Sequence, residues 1–244
     1  MSNVFYAAGE QHASKVNALF AAIARRYDLI NDLQSFGLHR RWKRRVVELA
    51  AVQTGNRALD LCCGTGDLAL ALARRGAEVT GLDFSLPMLE VAKARGRKQS
   101  ALQSPIPNPQ FIQGDAQQIP FPDASFDVVT VGYGLRNLTS WENGLVEMYR
   151  VARPGARLVV LDFGKPANAL WRTIYFGHLR CSVPLIGWLF CGNADAYAYI
   201  LESLKYYPAQ LAVAAKMREL NLANVRVINF LGGAMAINYG EKLA

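Results

Sequence analysis

The residues that could do chemistry cluster in the run Ala58-Leu-Asp-Leu-Cys-Cys-Gly-Thr-Gly-Asp67, where an acidic residue inside an apolar stretch precedes a glycine turn. Asp60 stands on the stretch itself, and burying its carboxylate is costly unless hydrogen-bond donors or a cation satisfy it. Gly64, Thr65 and Gly66 make a turn in which the backbone can approach a ligand with no β-carbon in the way. Two more acidic residues stand where later strands should end: Asp83, followed by Phe84, and Asp115, followed by Ala116. A carboxylate at the tip of the strand after a glycine turn can accept hydrogen bonds from both hydroxyls of a ribose. Gly132 ends a further β-branched run. Together these residues describe a nucleotide site at the carboxyl end of a parallel sheet.

The elements that must position them follow from periodicity. Arg57 to Cys62 reads as a first strand, Leu68 to Ala73 as a helix, Ala77 to Leu82 as a second strand and Leu86 to about Arg97 as a second helix. Gln110 to Gln113 and Ser125 to Gly132 read as strands, Trp141 to Val151 as a helix, and Arg157 to Phe163 as a fifth strand after a turn at Arg153-Pro-Gly155. This alternation predicts an α/β protein with a doubly wound parallel sheet. Val225 to Phe230 and Gly233 to Tyr239, separated by Leu231-Gly232, predict a β-hairpin whose last strand runs antiparallel at or near the sheet edge.

The flanks differ from this core. Glu10 to Arg26 carries Val16, Leu19, Phe20 and Ile23 at helical spacing, whereas Tyr27 to His39 has no repeating period and reads as a lid or substrate loop. Arg40 to Ala50 reads as a helix that opens with five basic residues in six positions. That opening is either a solvated helix start or a membrane-surface patch with Trp42 at the interface. Ala169 to Cys191 carries Trp171, Tyr175, Phe176, Trp188 and Phe190, and reads as a hydrophobic lid or as packing on the sheet edge; Ala194 to Leu204 and Pro208 to Leu220 read as further helices. One domain results, with 1–52 as an N-terminal helical cap and substrate loop, 53–165 as the cofactor-binding core, 166–205 as the hydrophobic lid, and 206–244 as a closing helix and hairpin.

Composition narrows the partners. Of 244 residues, 52% are hydrophobic and 19% charged, against a usual charged share of about 25%, so a lipidic partner is worth weighing. A formal charge of +8 favours an anionic partner. No stretch reaches the roughly 18 apolar residues of a spanning helix, and the N-terminus lacks a secretory pattern, so the expected location is cytoplasmic. The four cysteines, at 62, 63, 181 and 191, suit neither a disulfide framework nor a zinc site and read as small buried residues.

Gly64-Thr-Gly-Asp-Leu-Ala69 also fits the dinucleotide pattern. Asp60, which the ammonium of a methionine moiety could satisfy, Asp115-Ala116, which could meet an adenine amine, and the closing hairpin favour S-adenosylmethionine instead. In spacing, Asp60, Gly64, Gly66, Asp83 and Asp115 resemble class I methyltransferases over about residues 55 to 165, with Cys62 where many of those enzymes have glycine. A base N-methyltransferase would carry a Pro-Pro pair after the fourth strand; here the chain reads Gly132-Tyr-Gly-Leu-Arg-Asn137, so no nucleic acid is expected.

Tyr27-Asp28-x-x-Asn31 with Ser35, His39 and Trp42, Gly134-Leu-Arg-Asn137, Arg150 to Asp162, Ala198 to Ser203 and Gly232 to Ala236 resemble the signatures of the ubiquinone/menaquinone biosynthesis C-methyltransferase family. Ala156 and Asp162 depart from its usual glycine and glutamate. The resemblance implies a Rossmann-like class I methyltransferase sheet with N-terminal helices and a hydrophobic helical insertion. It also implies metal-free transfer of a methyl group to a ring carbon of a prenylated quinol. The acceptor would be demethylmenaquinol or its phytyl analogue, or a methoxy-benzoquinol, and a cofactor-binding scaffold without turnover is the alternative outside enzymes.

Arg136 and Asn137 are candidates to stabilise the phenolate, His39 to accept its proton and Tyr27 to orient the ring. The bland alternatives are that Arg136 pairs with a carboxylate such as Asp115, that His39 caps the basic helix, and that Tyr27 and Asp28 fix the loop. A peripheral position at an anionic membrane, with Arg40 to Arg45 touching lipid, and a homodimer complete the expected partners.

Overall fold

The computed structural model describes residues 20–21, 23–24, 26–102, 107–191 and 203–244, without the side chains of 102 and 183–191. Most of the helix expected over 10–26 and of that over 194–204 lies outside these residues. In chain order the elements are α1 (Tyr27–Ser35), α2 (Leu38–Ala50), β1 (Arg57–Leu61), α3 (Asp67–Ala73), β2 (Glu78–Asp83), α4 (Leu86–Leu102), β3 (Gln110–Gln113) and β4 (Phe126–Gly132). They continue as α5 (Trp141–Val151), β5 (Ala152–Phe163), α6 (Ala169–Cys191), α7 (Gln210–Glu219), β6 (Leu222–Phe230) and β7 (Met235–Lys242).

The strands form one sheet in the order β3-β2-β1-β4-β5-β7-β6. The first five are parallel, and β7 runs antiparallel to both β5 and β6. The closing hairpin is as expected, although its turn is the 3-10 segment Leu231–Gly233 and the last strand lies inside β6, which forms the edge. Strand order reverses between β1 and β4, the place where an open α/β sheet leaves a crevice at its carboxyl end.

Alternation along the central strands sends side chains to two cores. Leu59, Leu61, Val129 and Val131 pack with α5 and α7, whereas Ala58, Val128, Val159 and Leu161 pack with α2, α3 and α4. Both faces are therefore covered, as the doubly wound reading requires.

Three local expectations are corrected. Tyr27 to His39 is not a loop: α1 occupies 27–35, and a break at Phe36 and Gly37, both left-handed (φ 49° and 74°), leads into α2. The helical face lay in the spacing of Tyr27, Ile30, Asn31 and Gln34, masked by polar residues that point into a cavity. Trp42 is buried against Phe230 and not at a surface. Arg153 to Gly155 continues as irregular extended chain, so that β5 begins at Ala152.

The turns after β1 and β4 press together. A β-carbon on Gly134 would lie 2.3 Å from Cβ and 2.8 Å from Sγ of Cys62, which itself adopts φ 50°. Gly134→Ala is expected to destabilise the fold by about 1–3 kcal/mol, and by clearly less in a Cys62→Gly background, measured by urea unfolding of the two single variants and the double. Equal losses in both backgrounds would show that the two turns do not compete for this space.

Candidate functional site

The turn after β1 is left-handed at Cys62, Gly64 and Gly66 (φ 50°, 54° and 83°). The two glycines serve different ends. A β-carbon at Gly64 would meet nothing closer than Tyr27 Cε1 at 4.0 Å, leaving its backbone open to a ligand. One at Gly66 would stand 3.0 Å from the Phe111 ring and 3.1 Å from Ala92, so Gly66 serves helix–strand packing rather than ligand approach.

Carboxylates hold this turn. Asp83 accepts the Gly64 and Ser85 N–H groups, one on each oxygen, both at 2.8 Å. Asp60 accepts the Ala69 N–H at 3.0 Å and the Thr130 hydroxyl at 2.8 Å. The fold's own donors thus satisfy Asp60, and a ligand ammonium is not needed for that. Burial nevertheless pushes its carboxyl up to about 7, against those hydrogen bonds. Burial also raises Asp83.

Thr65 turns away from the crevice and donates to Asp28 on α1 at 2.8 Å. Arg95 on α4 donates to Asp28 at 2.8 Å, to the Thr65 carbonyl at 3.0 Å and to Asp67, whose other oxygen takes Lys43 at 2.6 Å. Burial works to raise the Asp67 carboxyl, but the charges of Lys43 and Arg95 hold it well below the usual range.

Two cavities meet at Tyr27 and Tyr133. The smaller, about 100 Å³, lies over the tips of β1, β2 and β4 and is lined by Gly64, Asp83, Phe84, Asp115, Ala116 and Gly132. Most of the expected cofactor residues are therefore brought together. Asp60 and Thr65 border a recess beside it instead, with Lys43 and Tyr133. Ser85 lines the smaller cavity with a buried hydroxyl that has no protein partner, as expected of a site shaped for a polar ligand.

The larger cavity, about 440 Å³, lies between α1, the start of α2, and α6. Tyr27, His39 and Arg136 line it together with Asn31, Gln34, Ser35, Phe163, Trp171 and Tyr175. Asn137 lines the smaller cavity instead and donates to the Tyr133 carbonyl at 3.1 Å, so Arg136 and Asn137 do not face one space as a pair. Arg136 is not paired with Asp115. Its guanidinium and its backbone N–H both bind Asp162, at 3.0 and 3.1 Å, and it lies 4.7 Å over the Phe163 ring. Asp162, which replaces the usual glutamate, is thus the group that fixes Arg136.

His39 is buried, with Nδ1 2.8 Å from Ser35 Oγ and Nε2 3.7 Å from Asp32 Oδ1. Desolvation and the Lys43 charge lower its pKa, keeping the imidazole neutral at pH 7. Of the basic residues opening α2, Arg40 is bound to Asp32, Lys43 to Asp67 and Arg45 to Glu48, while Arg41 and Arg44 are exposed.

Tyr133 is the residue that sequence reasoning missed. It reaches both cavities with a buried, unpartnered hydroxyl, and burial raises its pKa well above the ordinary value. Its φ of 63° carries no sequence signal, because tyrosine does not favour that conformation. Gln34 could have been found, seven positions after Tyr27 on one helical face.

Similarity to known proteins agrees with this geometry. Residues 8–242 match the model of the ubiE/COQ5 methyltransferase family. The chain is 42% identical over 235 residues to a ubiquinone/menaquinone biosynthesis C-methyltransferase UbiE of Azotobacter vinelandii, covering 95% of this chain and 91% of that one. It is 43% identical over 226 residues to a demethylmenaquinone methyltransferase of Thermus thermophilus, covering 92% and 100%. In fold it is similar to a SAM dependent methyltransferase from Aquifex aeolicus, with a TM-score of 0.58 at 17% identity over 82% of this chain and 89% of that one.

Asp60 ionises near 3.8 when unfolded and at about 7 in the fold, so the folded chain holds a proton that the unfolded one has lost. This contribution weakens as pH rises from about 4 to about 7 and then levels off. Asp60→Asn can accept the Ala69 N–H on its oxygen and donate its amide to the Thr130 oxygen, without that titration. Urea unfolding of the cofactor-free protein is expected to show the variant gaining on the wild type by a few kcal/mol between those pH values; a constant difference would mean that Asp60 is ionised throughout.

Proposed function

The chain belongs to the ubiE/COQ5 methyltransferase family, and on that premise we propose that its two cavities bring S-adenosylmethionine and a demethylated, prenylated naphthoquinol together for methylation of a quinol ring carbon. Membership makes it an S-adenosylmethionine-dependent C-methyltransferase of quinone biosynthesis. The naphthoquinol acceptor is supported by the Thermus thermophilus relative, matched over its whole length. A methoxy-benzoquinol is the second reading, supported by the Azotobacter vinelandii relative, whose name includes ubiquinone.

One observation carries the proposal: a small cleft that sets Asp83, Ser85 and Asp115 among apolar residues, and a large cavity walled mainly by aromatic and apolar side chains, share the walls Tyr27 and Tyr133. When bound, S-adenosylmethionine supplies an electrophilic methyl group on a sulfonium sulfur. Asp83 would hold its ribose, since each carboxylate oxygen keeps a lone pair beyond its one backbone bond. Asp115 and Ala116 would meet the adenine amine between Phe84 and Met88, and the open backbone at Gly64 would take the methionine end.

A quinol carbon becomes nucleophilic as the neighbouring hydroxyl loses its proton, and once it carries the methyl group it releases its ring hydrogen as a proton while the oxygen regains one, which restores the quinol. Arg136, fixed by Asp162 in the wall of the larger cavity, stabilises the phenolate. Ser35 and His39 take the proton. Ser35 donates its hydroxyl to the Asn31 carbonyl at 2.6 Å; when that hydrogen turns to His39 Nδ1, 2.8 Å away, Ser35 Oγ takes the phenolic hydrogen as its own passes to Nδ1, and the imidazolium formed faces Asp32. Tyr27 and Tyr133 orient the ring where the cavities join.

Methyl transfer from labelled S-adenosylmethionine to a prenylated naphthoquinol and a prenylated methoxy-benzoquinol, run side by side, tests the acceptor. Product from the naphthoquinol is expected, product from both would make the enzyme bifunctional, and product from the benzoquinol alone would refute the assignment.

His39 acts as a base only when neutral, and its lowered pKa places the acid limb of kcat below pH 6.5. In His39→Asn, kcat at pH 7.5 is expected to fall by roughly tenfold or more, with that limb lost and cofactor affinity within about twofold of wild type. An unchanged acid limb would assign the proton to another group.

A further inference from the structure

The mouth of the larger cavity has an apolar rim exposed to solvent. Phe36 is 85% exposed, Leu170 72%, Ile174 52% and Leu231 51%. Phe36, Ile174 and Leu231 line the cavity, and Leu170 stands one turn before Ile174 on α6. The rim is held in shape from beneath, because Trp171 donates its indole N–H to the Leu231 carbonyl at 2.8 Å and Tyr175 its hydroxyl to Ala234 at 3.2 Å. Exposed apolar residues scattered singly need no explanation, but four grouped at one opening do.

Among the described residues, the charges left without an ion-pair partner on α6 and α1 have one sign. Helix α6 contains Arg172 and Arg180, both exposed, and no acidic residue. The acids of α1 are already paired, Asp28 with Arg95 and Asp32 with Arg40. The chain as a whole carries +8. An apolar rim flanked by unopposed arginines complements a surface with hydrocarbon inside and negative charge outside.

We propose that this rim is a membrane-docking surface, which seats the mouth of the acceptor cavity on an anionic phospholipid bilayer so that a prenyl-tailed acceptor passes from lipid into the protein without crossing water. The docking residues are therefore at the end of α1, on α6 and in the β6–β7 turn, and the Arg40 to Arg45 run, of which Arg40, Lys43 and Arg45 are paired within the chain, is not part of this surface. No helix among the described residues is long and apolar enough to cross a membrane, so the chain would lie on the surface. The purpose given to the docking rests on the quinol reading above; the docking itself does not.

The test uses the full chain and vesicles of phosphatidylglycerol and phosphatidylcholine containing no quinol, with bound protein measured by flotation. Leu170 and Arg172 stand beside the lining residues Trp171 and Ile174 on α6 but do not line the cavity themselves. The double variant Leu170→Gln/Arg172→Gln is expected to bind vesicles at least tenfold more weakly than the wild type, and Arg180→Gln to bind several-fold more weakly to anionic vesicles only. Cofactor affinity and methylation of a short-tailed, water-soluble acceptor should be unchanged in both. Wild-type protein that ignores the vesicles, a double variant that binds as well as wild type, or a double variant that changes from dimer to monomer in the absence of lipid would each overturn the proposal. Loss of methylation of the soluble acceptor in the wild type would instead strike the quinol reading and leave the vesicle result standing.

Discussion

The site depends on one constraint: a backbone turn with three left-handed residues in five must be held still at the end of a buried strand. Such a turn exposes N–H groups that no strand or helix partner satisfies, and the helix that follows adds the orphan donors of its first turn. Acidic side chains supply the acceptors. Asp83 takes the Gly64 N–H from the neighbouring strand tip, and Asp60 takes the Ala69 N–H from the preceding strand. Asp28 takes the Thr65 hydroxyl from α1. The same carboxylates that a sequence reader assigns to a cofactor are thus first of all structural. Asp83 can do both because a carboxylate has more lone pairs than its two backbone bonds use.

This double duty explains what was legible. The strands and helices of the parallel core could be placed to within a few residues, because two-sided burial writes continuous apolar runs into β1, β4 and β5. The α1 helix was not legible for the opposite reason. One of its faces lines a cavity with Tyr27, Asn31 and Gln34, and the other leaves Leu29 and Leu33 exposed, so polar residues stand where a core-facing helix would be apolar. Periodicity reports burial against protein and is silent about burial against a ligand.

The residues that line the smaller cavity were easier to place than those of the larger on similar grounds. Asp83, Asp115 and Gly132 sit at strand ends, where the fold itself sets their position. Arg136, Ser35 and His39 are brought to one cavity by three separate elements, and their partners are set only by tertiary packing. The pairing of Arg136 with Asp162 instead of Asp115 illustrates this. Asp162 follows the buried run of β5 and lies beside the turn that carries Arg136, so burial forces the pair to form. A buried ion pair contributes little net stability, but removing one partner leaves an uncompensated charge, so the guanidinium has few alternative positions. A cation fixed in that way can act on a phenolate without first reorganising.

The two chemical halves of the site are also mechanically one. Arg95 binds Asp28 of α1, the Thr65 carbonyl of the glycine turn and Asp67 at the start of α3, while Lys43 of α2 binds Asp67 from the other side. Tyr27, next to Asp28, is a wall of both cavities. Any shift of the glycine turn is therefore carried through Asp28 to Tyr27 in the wall of the larger cavity, and any shift of α1 returns to the smaller one. Transfer between a sulfonium and a ring carbon tolerates little misplacement, since the rate gained from holding two reactants together is lost when they are out of line. The ion network lines neither of the two cavities, yet it ties the glycine turn beneath one to a wall of the other.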